Sequence, residues 1–308
     1  MADGPQFADE AVARFVSQPA AAFADMDVAA MRAGVAERAR HRSPGPALPD
    51  VRDLEAGGVP ARLYRPAAGA LPLVVYLHGG GWSIGDLASF DRLSRRLAST
   101  AVAAVLTLDY RLAPEHPWPA SVDDTVAALR WVRKGPAEIG ALTGAVAVVG
   151  DSAGGTLAAL ACLRLRDEAP GSLPDLQGLL YANTDLTGSQ PSMTEKATGF
   201  GLDAETVRFF NRQWVPDPSR WGDPGVSPLH AEHLEGLPAA LIVTAEHDPL
   251  RDEAEAYAAR LAQAGVPVEL RREPGLIHNF MLMDELSPAC RAAADRVATD
   301  LRRLLARP

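Results

Sequence analysis

From residue 61 onward the chain alternates short apolar runs with amphipathic ones. The apolar runs are ARLYR (61–65), LPLVVYLH (71–78), AVAAVLTLDY (101–110), GAVAVVG (144–150), LQGLLYAN (176–183), PAALIVTAE (238–246) and VPVELRRE (266–273). Several are apolar at nearly every position, the pattern of strands covered on both faces of a parallel sheet. Between them, FDRLSRRLAST, SVDDTVAALRWVRKG, SAGGTLAALACLRLRDE and RDEAEAYAARLAQAG place apolar residues at helical spacing, and RAAADRVATDLRRLLAR follows the last run. This alternation predicts a doubly wound α/β sheet.

Two segments break the rhythm. Residues 1–45 hold two helical patterns before any strand, with Val12, Phe15 and Val16 on one apolar face and Val28, Met31 and Val35 on the other. Asp27 stands as an N-cap for the second. Residues 185–235 interrupt the alternation after a strand, with TVRFFNRQWV between Gly- and Pro-rich linkers. A long excursion inside one domain reads as a lid or binding element. The expected organisation is therefore a cap made from residues 1–45 and 185–235 over a core of residues 46–184 and 236–308.

Composition changes this picture little. Hydrophobic residues make up 47% and charged residues 22%, enough apolar material for a sizeable core. A net charge of −9 argues against a nucleic-acid partner, which calls for a basic footprint. The two cysteines, Cys162 and Cys290, are too few for a disulfide framework, and Cys162 lies in an apolar run as a buried thiol would. MADGPQFADEAVARF lacks the basic and apolar regions of a signal peptide, and no apolar stretch nears the ~18 residues of a membrane span. The expectation is a cytoplasmic protein without stable membrane insertion, its partner a small molecule, with a homodimer left open.

Candidate chemistry begins at Gly150-Asp151-Ser152-Ala153-Gly154, a G-x-S-x-G between a strand pattern and a helix pattern. Small neighbours permit a sharp turn that presents the Ser152 hydroxyl at the carboxyl end of the sheet. The bland alternative is a glycine-rich strand-to-helix turn. His78-Gly79-Gly80-Gly81-Trp82 follows the strand LPLVVYL. Acyl transfer needs preorganised N–H donors for an oxyanion, and glycines let main-chain amides approach a substrate. Neither a G-x-G-x-x-G nor a lysine-bearing phosphate loop is present there. His78 reads as a support of this loop through hydrogen bonding.

The chain order nucleophile, acid, base selects the remaining residues. Asp248 follows the late strand PAALIVTAE, and of the seven histidines only His278 lies a strand and a helix beyond it. His247 reads as a loop histidine. Among competing acids, Glu246 would still be on the strand, while Asp252 and Glu253 open a helix that favours acids. In this reading His278 removes the Ser152 proton and Asp248 holds the imidazole tautomer. HAEH (230–233) lacks the H-E-x-x-H metal spacing, so neither metal nor cofactor is expected. Asp123 and Asp124 read as a solvated helix face, and Trp214 and Trp221 as cap packing, with lining of an acyl pocket as the alternative.

HGGGW, DYRLAPEHPWPA, GDSAGG, DPLRDE and IHNF, in that order from about residue 60 onward, resemble the hormone-sensitive-lipase-like esterases, the bacterial family IV carboxylesterases. The resemblance implies an α/β-hydrolase fold with a mostly parallel eight-stranded sheet, flanking helices and a helical cap. It implies oxyanion donors at Gly80, Gly81 and Ala153, with Gly79 and Asp151 as motif support, and a structural part for DYRLAPEHPWPA. It implies hydrolysis of short- to medium-chain acyl esters, with an acetyl-hydrolase or amidase acting on a natural product as the alternative. Plant gibberellin receptors share the fold and serine but lack the histidine; His278 favours the enzyme over such a ligand-binding relative.

Overall fold

In the computed structural model, which describes residues 5–18 and 27–306, LPLVVYL forms strand β3 (Leu71–Leu77). Leu73, Val75 and Leu77 enter one hydrophobic cluster, and Val74 and Tyr76 enter another on the opposite face. That division follows from the period of two in a strand, and it explains why the run is apolar throughout. β4 (Ala104–Leu108), β5 (Leu142–Asp151), β6 (Leu176–Leu180), β7 (Ala239–His247) and β8 (Val268–Ile277) extend the parallel sheet. β1 (Asp50–Ala56) and β2 (Val59–Arg65) add an antiparallel edge, giving the order β1-β2-β4-β3-β5-β6-β7-β8. This is the eight-stranded, mostly parallel sheet that the resemblance implies.

Helices α3 (Asp91–Ala101) and α9 (Pro288–Leu305) bury their apolar faces on one side of the sheet. α4 (Ala120–Arg133), α5 (Ala153–Glu168) and α8 (Arg251–Gln263) bury theirs on the other. No helix among the described residues is long and apolar enough to cross a membrane. Because β3 pairs with β5, Leu77 against Gly150, the loop after β3 and the turn after β5 emerge side by side. The ends of β7 and β8 open on the same edge, where open α/β sheets bind ligands.

The structure departs from the sequence reading at identifiable places. β1 is absent from that reading because DVRDLEA carries charges at alternating positions of an edge strand that is largely solvated. Ala101 ends α3, with Val102 in the left-handed region at φ 52°, so AVAAVLTLDY opens on a helix end and a turn before its strand begins at Ala104. A continuous apolar run cannot distinguish the two. Asp9 and Asp27 cap α1 (Glu10–Val16) and α2 (Val28–His41). Val12 and Met31 are buried, but Phe15 is 39% exposed, against its expected burial. Residues 1–4 and 19–26 of the expected cap segment lie outside the described residues. The 185–235 insertion carries α6 (Ser192–Glu195) and α7 (Ala204–Trp214) between β6 and β7.

Candidate active site

Ser152 sits between β5 and α5 with φ 52° and ψ −121°, a conformation disfavoured for any residue with a Cβ. Such strain costs on the order of 1–3 kcal/mol and persists only where the surroundings over-determine it. Here Ser152 N–H donates to Leu180 O at 2.8 Å, and Ser152 O accepts from Gly155 N–H at 2.9 Å. A Cβ on Gly150 would overlap the backbone of Gly154, and one on Gly154 would overlap the Leu77 carbonyl. The two glycines of the motif are thus required by close approach of main chain to main chain. Ala153, first in α5, has an amide with no acceptor one turn back, at the positive end of the helix.

The structure brings Ser152, His278 and Asp248 together. His278 follows β8 and approaches Ser152 Oγ with Nε2 at 3.0 Å, while its Nδ1 lies 2.8 Å from Asp248 Oδ2. A carboxylate only accepts, so Nδ1 carries the proton and Nε2 presents its lone pair to the hydroxyl. Asp248 is fully buried after β7, and its Oδ1 accepts from Leu250 N–H at 2.9 Å. Tyr181, at φ 38°, packs its ring edge-on against the imidazole with centroids 4.9 Å apart.

The competing acids are engaged elsewhere. Glu246 accepts from Gly275 N–H at 2.7 Å, and Asp252 from Ser192 N–H at 2.9 Å. Glu253 stands in the first turn of α8 as expected, but it is fully buried and accepts from the amides of Thr184 and Asp185. Burial pushes its carboxyl well above the usual range. His247 also departs from its reading, because it ends β7 rather than lying in a loop. It receives a hydrogen bond from Lys196 Nζ at 3.4 Å, donates to Gln6 O at 3.0 Å and stacks on Phe200.

The glycine loop faces Ser152 from the end of β3. Gly79 N–H donates to Asp151 Oδ1 at 2.8 Å, so that amide is occupied. The amides of Gly80 and Gly81 have no acceptor among the described residues. Their directions follow from peptide planarity, since the C=O and N–H of one trans unit point opposite ways. Gly79 O accepts from His78 Nδ1–H at 2.8 Å, which turns Gly80 N–H away from that contact. Gly80 O accepts from Ser83 and Ile84 N–H at 3.0 Å each, which does the same for Gly81 N–H. His78 is fully buried, stacked on Tyr110 at 4.4 Å, and burial lowers its pKa to about 4. It is therefore neutral at ordinary pH. Asp151 joins loop and turn: Tyr76 Oη–H donates to the same Oδ1 at 2.7 Å, and burial pushes its pKa up to about 6.

The 185–235 insertion reaches this loop through α7. Phe210 of α7 lies so near Gly81, itself at φ 56°, that a Cβ there would collide with the ring. Trp214 stacks on Trp82 at 4.1 Å with the planes 9° apart, and its Nε1–H donates to Ser121 Oγ at 3.1 Å. Trp221 instead donates Nε1–H to Val215 O within the insertion. DYRLAPEHPWPA lies beneath. Tyr110 Oη–H donates to His78 O at 2.7 Å, and Ala113 N–H to Trp82 O at 2.8 Å.

Asp124 overturns the expectation of a solvated pair. It is buried and accepts from the Arg111 backbone and guanidinium, at 2.7–3.0 Å, while Asp123 pairs with Arg164. Within HAEH, His230 hydrogen-bonds to Asp185 at 2.9 Å, whereas the His233 side chain is 78% exposed. Cys162 and Cys290 are free and buried. Sequence reasoning missed Arg32, Tyr181 and Phe210 as neighbours of the site, because contacts between distant segments leave no local periodicity.

Comparison with known proteins places the chain among the α/β hydrolases. A profile of the alpha/beta hydrolase fold matches residues 74–282. Carboxylic ester hydrolase LipN of Mycobacterium tuberculosis is 45% identical over 289 residues, covering 89% of this chain and 77% of the relative. Ethyl acetate hydrolase of Pseudomonas putida is 39% identical over 234 residues, 74% of this chain and 73% of its own. Among solved structures, a thermostable esterase from Pseudomonas putida ECU1011 superposes with a TM-score of 0.89 at 31% identity, covering all of both chains. The Pyrobaculum calidifontis esterase does so with 0.88 at 36% identity, over 96% of this chain and 98% of that one.

Proposed function

The chain belongs to the α/β-hydrolase fold family, and from that premise we propose that it is a serine carboxylesterase cleaving short- to medium-chain acyl esters through an acyl-enzyme. The observation that carries the reading is the continuous relay from Ser152 Oγ through His278 to buried Asp248, set opposite two unoccupied glycine amides. Ser152 Oγ attacks the ester carbonyl as His278 Nε2 takes its proton. The oxyanion accepts from Gly80, Gly81 and Ala153 N–H. His278 then protonates the departing alcohol, and water activated by the same imidazole releases the acid. Residues 1–45 and 185–235 act together as the cap in this reading. Phe210 against the oxyanion loop supports a small acyl site.

The test is Ser152→Ala assayed on p-nitrophenyl esters of rising acyl length, with matching anilides. The expected result is a loss on the order of 10⁴ to 10⁶ in kcat, by analogy with serine hydrolases dissected residue by residue. More than a tenth of wild-type activity, in a preparation free of other esterases, would overturn the assignment. Anilide turnover rivalling ester turnover would move the function to amide hydrolysis.

A further inference from the structure

We propose that Arg32, on the helix α2 that precedes the whole sheet, is a positioning residue for oxyanion stabilisation; the proposal rests on the esterase reading above. Arg32 Nε–H donates to Ser83 O at 2.8 Å, and Nη2–H donates to Ala113 O at 2.9 Å. Nη1 and Nη2 also hold the two carboxylate oxygens of Glu115 at 2.8 Å each. A planar guanidinium fixed on three groups cannot turn toward one without losing the others.

The contact with Ser83 carries the inference. Ser83 C=O and Ile84 N–H belong to one peptide unit, and Ile84 N–H donates to Gly80 O at 3.0 Å. Gly80 C=O and Gly81 N–H belong to the next. The path therefore runs from the Arg32 cation through two rigid peptide planes to Gly81 N–H: each C=O accepts at one end, Ile84 N–H donates onward to Gly80 O, and Gly81 N–H is left without an acceptor among the described residues. Both dipoles point their positive ends toward the cleft, and each hydrogen bond polarises the next. Ala113 N–H donates to Trp82 O while Ala113 O accepts from Arg32, so the turn is held from two sides. Glu115 keeps the guanidinium in place, and the bond to Arg32 holds its carboxyl well below the usual range. Arg32 does not touch the reacting atoms.

The experiment compares Arg32→Gln, Arg32→Lys and Glu115→Gln with wild type in the full chain. The readouts are kcat and KM on p-nitrophenyl acetate, affinity for a trifluoromethyl ketone that forms a tetrahedral adduct, and competent sites titrated with a phosphonate. Complete removal of an oxyanion donor costs about 10²- to 10³-fold, so misaiming one of three in Arg32→Gln is expected to lower kcat about tenfold. KM should change less than twofold, with ketone affinity per competent site falling by the same factor as kcat. Arg32→Lys, which keeps charge and one donor, should recover at least a third of wild-type kcat. Ketone affinity per competent site within twofold of wild type in Arg32→Gln would overturn the proposal, whatever happens to thermal stability. If that variant fails to fold, Glu115→Gln decides: a two- to threefold loss of ketone affinity supports the proposal, and no loss overturns it. Failure of the esterase reading itself would appear separately, as activity surviving in Ser152→Ala.

Discussion

Ser152 is fixed by residues close to it in the chain, whereas the glycine loop opposite is fixed by residues far away. Apart from Leu180 on β6 and the Leu77 carbonyl on β3, the turn draws its constraints from Gly150 to Gly155, one strand end and one helix start. The loop needs Arg32, Tyr110, Asp151, Phe210 and Trp214, spread over most of the sequence. Nucleophile geometry is therefore a local property, while donor geometry depends on the assembled tertiary structure. Damage to the assembly should reach the donors before it reaches the nucleophile.

The sharpest way to break the comparison is Asp248→Asn, which disturbs the relay while leaving the loop alone. The wrong imidazole tautomer should lower kcat by about 10³- to 10⁴-fold with the fold intact, following the behaviour of triads in other serine hydrolases. Less than a tenfold loss on a p-nitrophenyl ester would hand the acid role to another carboxylate. Trp214→Ala attacks the other region, removing a fully buried ring from Trp82 and Ser121. A stability loss of about 3–5 kcal/mol in urea is expected, the range for large aromatic truncations. A change below about 1 kcal/mol would mean that the insertion is not anchored through this residue.

Asp151 bridges the two regions, and pH sharpens its part. Its folded pKa of about 6 lies above the ordinary 3.8, so the native state binds the proton more tightly and gains stability as pH falls through that window. His78 has the opposite sign: lowered to about 4, it favours folding above pH ~6.5 and loses that contribution as pH falls. The two nearly cancel in wild type between these values. Asp151→Asn removes one side, so variant stability minus wild-type stability should drop by roughly 2 kcal/mol from pH 8 to pH 4. A pH-independent difference in urea melts would show that Asp151 is ionised throughout. The smallest effect is expected from Phe210→Ala. The hexanoate-to-acetate ratio of kcat/KM should rise roughly 5- to 10-fold, the order of opening space for a methylene. An unchanged ratio would place the acyl chain elsewhere.

What was legible in the sequence divides along the same line. The chain-order rule names the three residues that lie within hydrogen-bond distance, because apolar runs mark the strands before Ser152 and Asp248 and only His278 lies a strand and a helix beyond them. The apolar runs likewise reveal the parallel strands. β1 escaped notice because an edge strand need not be apolar, and the burial of Asp124 and Glu253 is not legible because nothing in a helix start announces a buried partner. Arg32 is one of several arginines on an alanine-rich helix, and its partners are 51 and more positions away. Such residues become visible only when distant segments are brought together.

The glycine amides that face Ser152 have a consequence for how this catalyst can vary. A backbone N–H is supplied by every residue but proline, so few single exchanges delete the donor itself. Heritable tuning must instead pass through the groups holding the carbonyls at the other ends of those peptide units, His78 behind Gly80 and the turn amides behind Gly81. Natural variants or directed libraries that adjust turnover without changing the nucleophile should concentrate in that supporting layer, where a side chain can be exchanged by degrees.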